Sequence, residues 1–323
     1  IINTDGISLI KSAKSHCWPL LCTIAELPVT IRESFVLNLG LWYSKEFKPS
    51  IGTFLRPLQS KLDECFKNGV KWNHPITNEV ITSKIVPSLI IADAPARAKL
   101  QNIFNFNGRY GCNICEIRTK KSQTIVSGKR AIKGYSILSC FPLLDLGTCL
   151  IPEFMHSVLL GVTRRLFDTY TNKPGPWSIK PFMKNINEFI LNIRPPLSFN
   201  RMPRSLSESN LFKASEFYNL LLFYCLPALK DFLLEKYFQH LMGLVIAIFI
   251  LLMDYITVEN LEEADKLLRM FVKDIPDLFD DKELTYNVHQ LLHLVLSVKR
   301  WGPLSGSSAF TFENYNGFIA KKV

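Results

Sequence analysis

Cysteine is too scarce here for a disulfide scaffold, at eight in 323 residues. Charge is thin as well: 20% of residues are charged against 48% hydrophobic, a balance that excludes a disordered chain. No Asn-x-Ser/Thr sequon occurs, and the N-terminus has no signal-peptide pattern. The longest uncharged apolar run, residues 241–253, is too short to cross a bilayer and is expected to be a buried helix. There is no Walker A loop, no G-x-G-x-x-G and no G-x-S-x-G, so nucleotide binding and serine hydrolysis lack support. Internal repeats and low-complexity tracts are missing too. The expectation is a soluble, basic protein of a reducing compartment, long enough for one large domain or two smaller ones. The sequence begins at Ile1 rather than Met, so it is expected to be a fragment.

What charge there is falls unevenly. The net charge is +10, yet residues 254–283 hold ten acids against four bases. Six bases and no acid lie between 118 and 133: Arg118, Lys120, Lys121, Lys129, Arg130 and Lys133. A second basic tract holds Arg164, Arg165, Lys173, Lys180, Lys184, Arg194, Arg201 and Arg204. Such fields favour a polyanion through counterion release. A solvated loop with no partner would carry the same charges.

The hydrophobic period divides the chain. Residues 7–10, 18–24 and 34–43 read as strands, rich in β-branched, aromatic and aliphatic side chains. Ile51, Phe54, Leu55, Leu58, Leu62, Cys65 and Phe66 recur at helical spacing, with Pro57 inside the pattern as a kink or a first-turn residue. Residues 85–92 read as a continuous buried strand. From Pro152 onward the period is helical, with long apolar helices expected over 217–234 and 241–256 and a last one over 284–298. The fold class is therefore α/β in the segregated α+β sense.

Two acids sit where strands end. Asp5 lies beside the first strand, in NTDG, and Asp93 ends the apolar run LIIA. Glu313 lies on a short final helix. Mg²⁺ takes oxygen ligands, usually one or two carboxylates per ion. Two such ions can clamp the attacking and leaving oxygens of a phosphoryl displacement. Each acid alone reads equally as a turn, a cap or a solvated helix residue.

Cys112 and Cys115 form a C-x-x-C: a redox pair, half a zinc site, or two ordinary residues. His289 and His293, four apart on a helix, share a face. Together the four make a structural zinc set, and such a site would tie the helical part back to the strand part. His156, beside Glu153, reads as a functional residue or a satisfied core one.

Six strings in order make the chain resemble the catalytic region of CACTA/EnSpm-type transposases, in the wider CMC superfamily. They are NTDGISLIKS; ELPVTIRESFVLNLGLWYS with KPSIGTFLRPL; IIADAPARAKLQNIFNFNGRYGCNIC; PEFMHSVLLGVTRRL; LFKASEFYNLLLFYCLPAL; and LTYNVHQLLHLV with GPLSGSSAFTFEN. The resemblance implies an RNase H-like mixed sheet, interrupted by a large all-helical insertion before the last catalytic helix. Residues 1–150 would be the catalytic core, 151–300 the insertion and 301–323 the return segment. Asp5, Asp93 and Glu313 would form a D-D-E triad holding two Mg²⁺ (or Mn²⁺) ions. The reaction would be DNA strand cleavage and strand transfer at transposon ends. Transib-type transposases and the related antigen-receptor recombinase carry a Cys pair after the second Asp and a His pair before the Glu. Cys112 follows Asp93 by 19 residues and His293 precedes Glu313 by 20, which supports a structural Zn²⁺ on Cys112, Cys115, His289 and His293. Lys120, Lys121, Lys129, Arg130 and Lys133 would bind DNA phosphates. The implied setting is nuclear and homo-oligomeric, with DNA as partner and neither a membrane nor a small-molecule substrate. Glu153 departs from the Asp that relatives often have, and Ser305 from their Trp. The terminal module that would find transposon ends is expected to be missing. The alternative is a domesticated or decayed transposase, a non-catalytic DNA- or protein-binding module. A third reading is a helical scaffold with a structural C-x-x-C.

Overall fold

The computed structural model describes residues 1–7, 16–106, 111–115, 132–199 and 201–322. The chain divides into two compact units, Ile1–Ile151 with Ala309–Val323, and Pro152–Ser308. The class is mixed, with a small sheet in the first unit and helices through the second.

The sheet is built from β1 (Ile2–Thr4), β2 (His16–Cys22), β3 (Leu37–Ser44) and, much later, β6 (Ile90–Ile91), in the order β3-β2-β1-β6. The first three strands pair antiparallel, and β6 runs parallel to β1 with Ile2 opposite Ile90 and Asn3 opposite Ile91. An isolated parallel bridge from Ile90 to Leu150 continues the sheet beyond β6. The strand expected at 7–10 falls mostly outside the described residues; Ile7 makes one antiparallel bridge to Cys17, and β1 lies upstream of it. Between β2 and β3 runs the short helix α1 (Val29–Arg32), and after β3 comes α2 (Ile51–Asn68). Pro57 sits in the interior of α2, not in its first turn. Leu55 and Leu62 on α2 are buried in a core that also holds Ile2, Trp18, Leu20, Ile90, Leu138 and Leu150.

Two expectations need correction here. The hairpin of β4 (Val70–Asn73) and β5 (Val80–Ser83) forms a separate two-stranded sheet that the sequence pattern did not signal. β4 is Val-Lys-Trp-Asn, which does alternate apolar and polar, but four residues are too few to stand out as a period, and all four are exposed. The run 85–92 is not one strand: only Ile90 and Ile91 pair, and the helix α3 (Ala94–Leu100) follows at once.

The second unit starts with a π-helical segment, Phe154–Thr163, that continues as α4 (Arg164–Asn172) and α5 (Met183–Asn192). The helix expected over 217–234 is broken: α6 (Ala214–Asn219) passes through a π-helical segment, Leu220–Tyr224, into α7 (Cys225–Leu229). Pro227 lies in α7; it has no N–H and its ring crowds the preceding turn, so a regular ladder cannot run through. Next comes α8 (Glu235–Leu252). At 18 residues it is long and apolar enough to cross a membrane by length and composition, more than the 13-residue run suggested, and half of it is buried. It packs on α9 (Val258–Leu278), where buried His240 bonds the Phe271 carbonyl at 2.9 Å. The last expected helix is also interrupted: α10 (Tyr286–Gln290) and α11 (Leu294–Trp301) flank a 3₁₀ turn, Leu291–His293. The chain then re-enters the first unit as α12 (Phe310–Lys322).

Part of the second basic tract is neutralised within this helical unit. Buried Glu283 accepts from Arg165 Nε at 2.7 Å and from Lys173 Nζ, and Thr169 Oγ1 lies 3.3 Å away. Glu216 holds Arg204 Nε at 2.7 Å. Burial pushes the Glu283 carboxyl up, but the bonds and charges of Arg165 and Lys173 outweigh it and hold the group below its ordinary value. A depressed carboxylate stabilises the fold above its unfolded pKa of about 4.3, and that contribution is lost as pH falls through the folded value. Glu283→Gln is expected to cost on the order of 2–3 kcal/mol at neutral pH, since two cations lose their partner but Arg165 keeps access to water. Urea unfolding across pH should show the gap from the parent constant above about pH 5 and closing below pH 4.

Candidate active site and metal centre

The pairing of β1 with β6 sets the two aspartates. The parallel pairing ends at Asn3 and Ile91; extended two residues further, the same register would bring Asp5 opposite Asp93, each just past the carboxyl end of its strand. The antiparallel register of β1 and β2 puts Pro19 opposite Asp5. Pro19 has no N–H to give the Asp5 carbonyl, so the ladder stops at Thr4 and Leu20 and resumes only at Ile7 and Cys17. Asp5 therefore sits in a gap in the ladder, its Oδ1 accepting the Gly6 N–H at 2.6 Å. Asp93 is the N-cap of α3: its Oδ1 accepts the Ala96 N–H at 2.7 Å, with Pro95 in the first turn. The capping role weighed for a strand-end acid is thus present, on one of the two oxygens. Both carboxylates are half-buried. Among the described residues Asp5, Asp93 and Glu313 do not form a group whose ligand atoms all lie within 4.8 Å of one another.

Trp18, buried in β2, organises the space around them. A Cβ on Gly6 would lie 2.8 Å from Trp18 Nε1, so the Asp5 turn can press on the indole edge only because residue 6 has no side chain. Over the ring, 4.7 Å from its centroid, sits Lys99 Nζ, carried by α3. Burial pushes the Lys99 ammonium below its ordinary pKa; the Lys48 charge acts in the same direction, while Asp5 and Asp93 oppose it. Lys48, Asp5 and Asp93 each lie within electrostatic reach of Lys99. Sequence reasoning missed Lys99, Lys48 and Trp18. Lys99 lies six residues after Asp93 in the same string, but nothing there signals its seat on a tryptophan 81 positions away.

Glu313 belongs to the same unit as the two aspartates, in the first turn of α12. It is half-buried, and its N–H bonds the Ala309 carbonyl at 2.9 Å.

Cys112 and Cys115 belong to the strand unit and His289 and His293 to the helical unit; the four side chains are of the type that could hold a metal such as zinc. The two imidazoles face each other with Nε2 atoms 3.2 Å apart and rings at 82°. Two nitrogens bound to one tetrahedral zinc would stand about 3.3 Å apart, so the His pair fits. Cys112 Sγ accepts backbone N–H groups of Ile114 and Cys115 at 3.4 Å, bonds that favour a thiolate. Asn113 Nδ2 ties the knuckle to the Leu150 carbonyl at 2.9 Å. Gly111 is required just before it, since a Cβ there would lie 2.2 Å from the Phe106 carbonyl oxygen.

Lys120, Lys121, Lys129 and Arg130 lie outside the described residues, as does Arg118. Lys133 is exposed, its Nζ 5.2 Å from the Phe104 ring centroid. His156, half-buried, places Nδ1 2.8 Å from Glu153 Oε2, while buried Glu153 caps the π-helical segment through the N–H groups of Met155 and His156.

No protein-family model matches the chain, and no curated protein matches it significantly in sequence. If the Cys and His group holds zinc, the purified chain will carry one ion per molecule by metal analysis, and Co²⁺ in its place will give the visible bands of a tetrahedral thiolate site. His289→Ala with His293→Ala should remove both signals and lower the thermal midpoint.

Proposed function

We propose that this chain is the catalytic core of a CACTA/EnSpm-type DNA transposase, with an RNase H-like sheet and a D-D-E metal site. The observation that carries the reading is the parallel pairing of β1 with β6, whose register, extended beyond Asn3 and Ile91, would bring Asp5 opposite Asp93. The strand order β3-β2-β1-β6, with a parallel bridge beyond β6, supports an RNase H-like sheet. The helical unit intervenes between that sheet and α12, the helix that carries Glu313. Asp5, Asp93 and Glu313 are the metal-holding acids in this reading, and Cys112, Cys115, His289 and His293 hold a structural zinc.

Two divalent ions on the acids would supply the clamp on the attacking and leaving oxygens of an in-line displacement. Hydrolysis of a DNA strand joins the water oxygen to phosphorus and breaks the P–O3′ bond; the departing 3′ oxygen ends with a proton. Strand transfer repeats the displacement, with the freed 3′-OH attacking a target phosphodiester. The protein's part is to hold the acids at fixed spacing and to position the phosphates. The Pro19 gap and the cap on α3 do the first.

Asp5→Asn and Asp93→Asn are the informative variants, because Asn caps a helix as well as Asp does and keeps the shape of the turn. Losing a carboxylate that holds a metal removes several kcal/mol of transition-state stabilisation. Mg²⁺-dependent nicking of a duplex by the purified chain is expected to fall by about 10³-fold or more in either variant. DNA binding measured in Ca²⁺ should hold or tighten, since a negative charge is gone. Nicking at parental rates in Asp5→Asn would remove the assignment. DNA binding without nicking by the parent would leave a non-catalytic DNA-binding module instead.

A further inference from the structure

We propose that β3 is a dimerisation edge: two copies of this chain join their sheets by antiparallel pairing of β3 with β3, about a two-fold axis at Leu39. The inference stands apart from the DNA-acting reading, since it uses none of the acids of that site.

β3 closes one side of the four-stranded sheet, and among the described residues its backbone is bonded to β2 and to no other segment. A free edge is a row of unpaired N–H and C=O groups, and a protein that keeps such an edge to itself blunts it with charge, proline or brevity. β3 has none of these: its eight residues, Leu37–Ser44, include no charged side chain and no proline. The one irregularity lies opposite Leu20 and Leu21, and pairing with β2 continues on both sides of it. Every second residue from Phe35 to Tyr43 is large and apolar: Phe35, Leu37, Leu39, Leu41 and Tyr43. Each is between 44% and 57% exposed. The open half of five such side chains is on the order of 450 Å² per copy, a patch of the size that marks a contact site.

The occupant follows from the segment laid against itself. Paired antiparallel about Leu39, Leu37 lies opposite the partner's Leu41 and Phe35 opposite the partner's Tyr43, and the axis repeats both contacts. Ser34 meets the partner's Ser44. Beyond them, at each end, exposed Glu33 comes to the partner's Lys45, which is also exposed. Among the described residues neither charge has an ion-pair partner within 4 Å in its own chain. A slip of one residue sets Glu33 against Glu46 or Arg32 against Lys45, like charges in both cases, and Leu39 against Gly40 or Asn38. A slip of two keeps leucine on leucine but sets Lys45 against Phe35 or Ile31. Apolar on apolar and acid on base thus coincide in the register about Leu39, and a second copy supplies both at once. A lipid surface or an apolar peptide would cover the leucines and leave the flanking charges unmatched. Over both copies the five side chains supply about 900 Å². The strand backbones and flanks bring this to about 1,200 Å², the low end of specific interfaces, so dissociation in the micromolar range is expected.

The test is sedimentation velocity of the purified chain from about 1 to 100 µM, with a reductant that keeps its eight cysteines from cross-linking. The parent is expected to pass from monomer to dimer over that range. Leu39→Lys brings two ammonium groups together on the axis and should leave a monomer at every concentration. Glu33→Lys alone and Lys45→Glu alone should each weaken dimerisation about five- to tenfold, because the axis turns two attractive contacts repulsive. The two changes together should restore the parental Kd. This rescue leaves the apolar residues untouched, so it decides the matter even if Leu39→Lys lowers the thermal midpoint. A parent that stays monomeric throughout overturns the proposal. So does a dimer that Leu39→Lys leaves intact, since another surface then joins the copies. Charge variants that leave Kd unchanged, or that weaken it without recovery in the double variant, overturn the register about Leu39. Any of these failures leaves the DNA-acting reading standing, because nicking and duplex binding are measured on other residues.

Discussion

Two very short strands, 88 residues apart in sequence, hold the candidate site together. β1 contributes three residues and β6 two, so few ladder bonds set the closure of a long loop. Side chains reinforce the pairing. Buried Asn3 donates Nδ2 to the Ile91 carbonyl at 2.9 Å, and Ile2 and Ile90 pack into the same core. Buried Arg97 on α3 donates to the Ile151 carbonyl at 2.5 Å and holds the next chain segment to the sheet. Asn3 leaves its Oδ1 buried without a partner, a loss of about 1–3 kcal/mol. A valine or threonine would pack there at less cost but could not reach the Ile91 carbonyl. The register, and with it the alignment of Asp5 with Asp93, is the gain that offsets the loss.

Net charge does not say where a polyanion would bind; pairing does. In the helical unit several cations already have partners: Arg165 and Lys173 on Glu283, Arg204 on Glu216, Arg269 on Asp265. An ion-paired guanidinium still adds to the long-range field, but it must break a bond of its own to take up a phosphate. The second basic tract, read from sequence as one field, is thus partly structural.

How much was legible follows from how local each signal is. The strand at 18–24 and the helix at 51–67 were readable because their apolar positions repeat at the right spacing, and β2 and α2 lie within two residues of those bounds. β1 was not, because three residues are too few to show a period. The apolar run at 85–92 misled, since burial of Leu89, Ile90 and Ile91 needs only two paired residues when a helix packs immediately after. Long helices were over-read in the second unit for a related reason: apolar periodicity continues through π and 3₁₀ turns that change the hydrogen bonding but not the hydrophobic face. The zinc candidates were readable because spacing alone, two Cys three apart and two His four apart, constrains geometry. Lys99 was unreadable because its meaning depends on Trp18, which only the folded sheet brings beneath it.

The His pair shows why the interruption between α10 and α11 matters. On an unbroken helix, residues four apart share a face but their side chains run roughly parallel. The 3₁₀ turn at Leu291–His293 tightens the backbone at this point, and the rings stand nearly perpendicular with their Nε2 atoms converging. Without an ion, one of the two nitrogens carries the proton of the 3.2 Å contact and the other accepts it through its one in-plane lone pair. With an ion both lone pairs point at the same place, and neither ring needs that proton. Cys112 and Cys115, in the strand unit, are thiol donors of the type that zinc accepts. Histidines four apart can share a metal on an unbroken helix, so the 3₁₀ turn accounts for how these two rings are set, nearly perpendicular with their Nε2 atoms converging, and not for their sharing a face, which the spacing already provides.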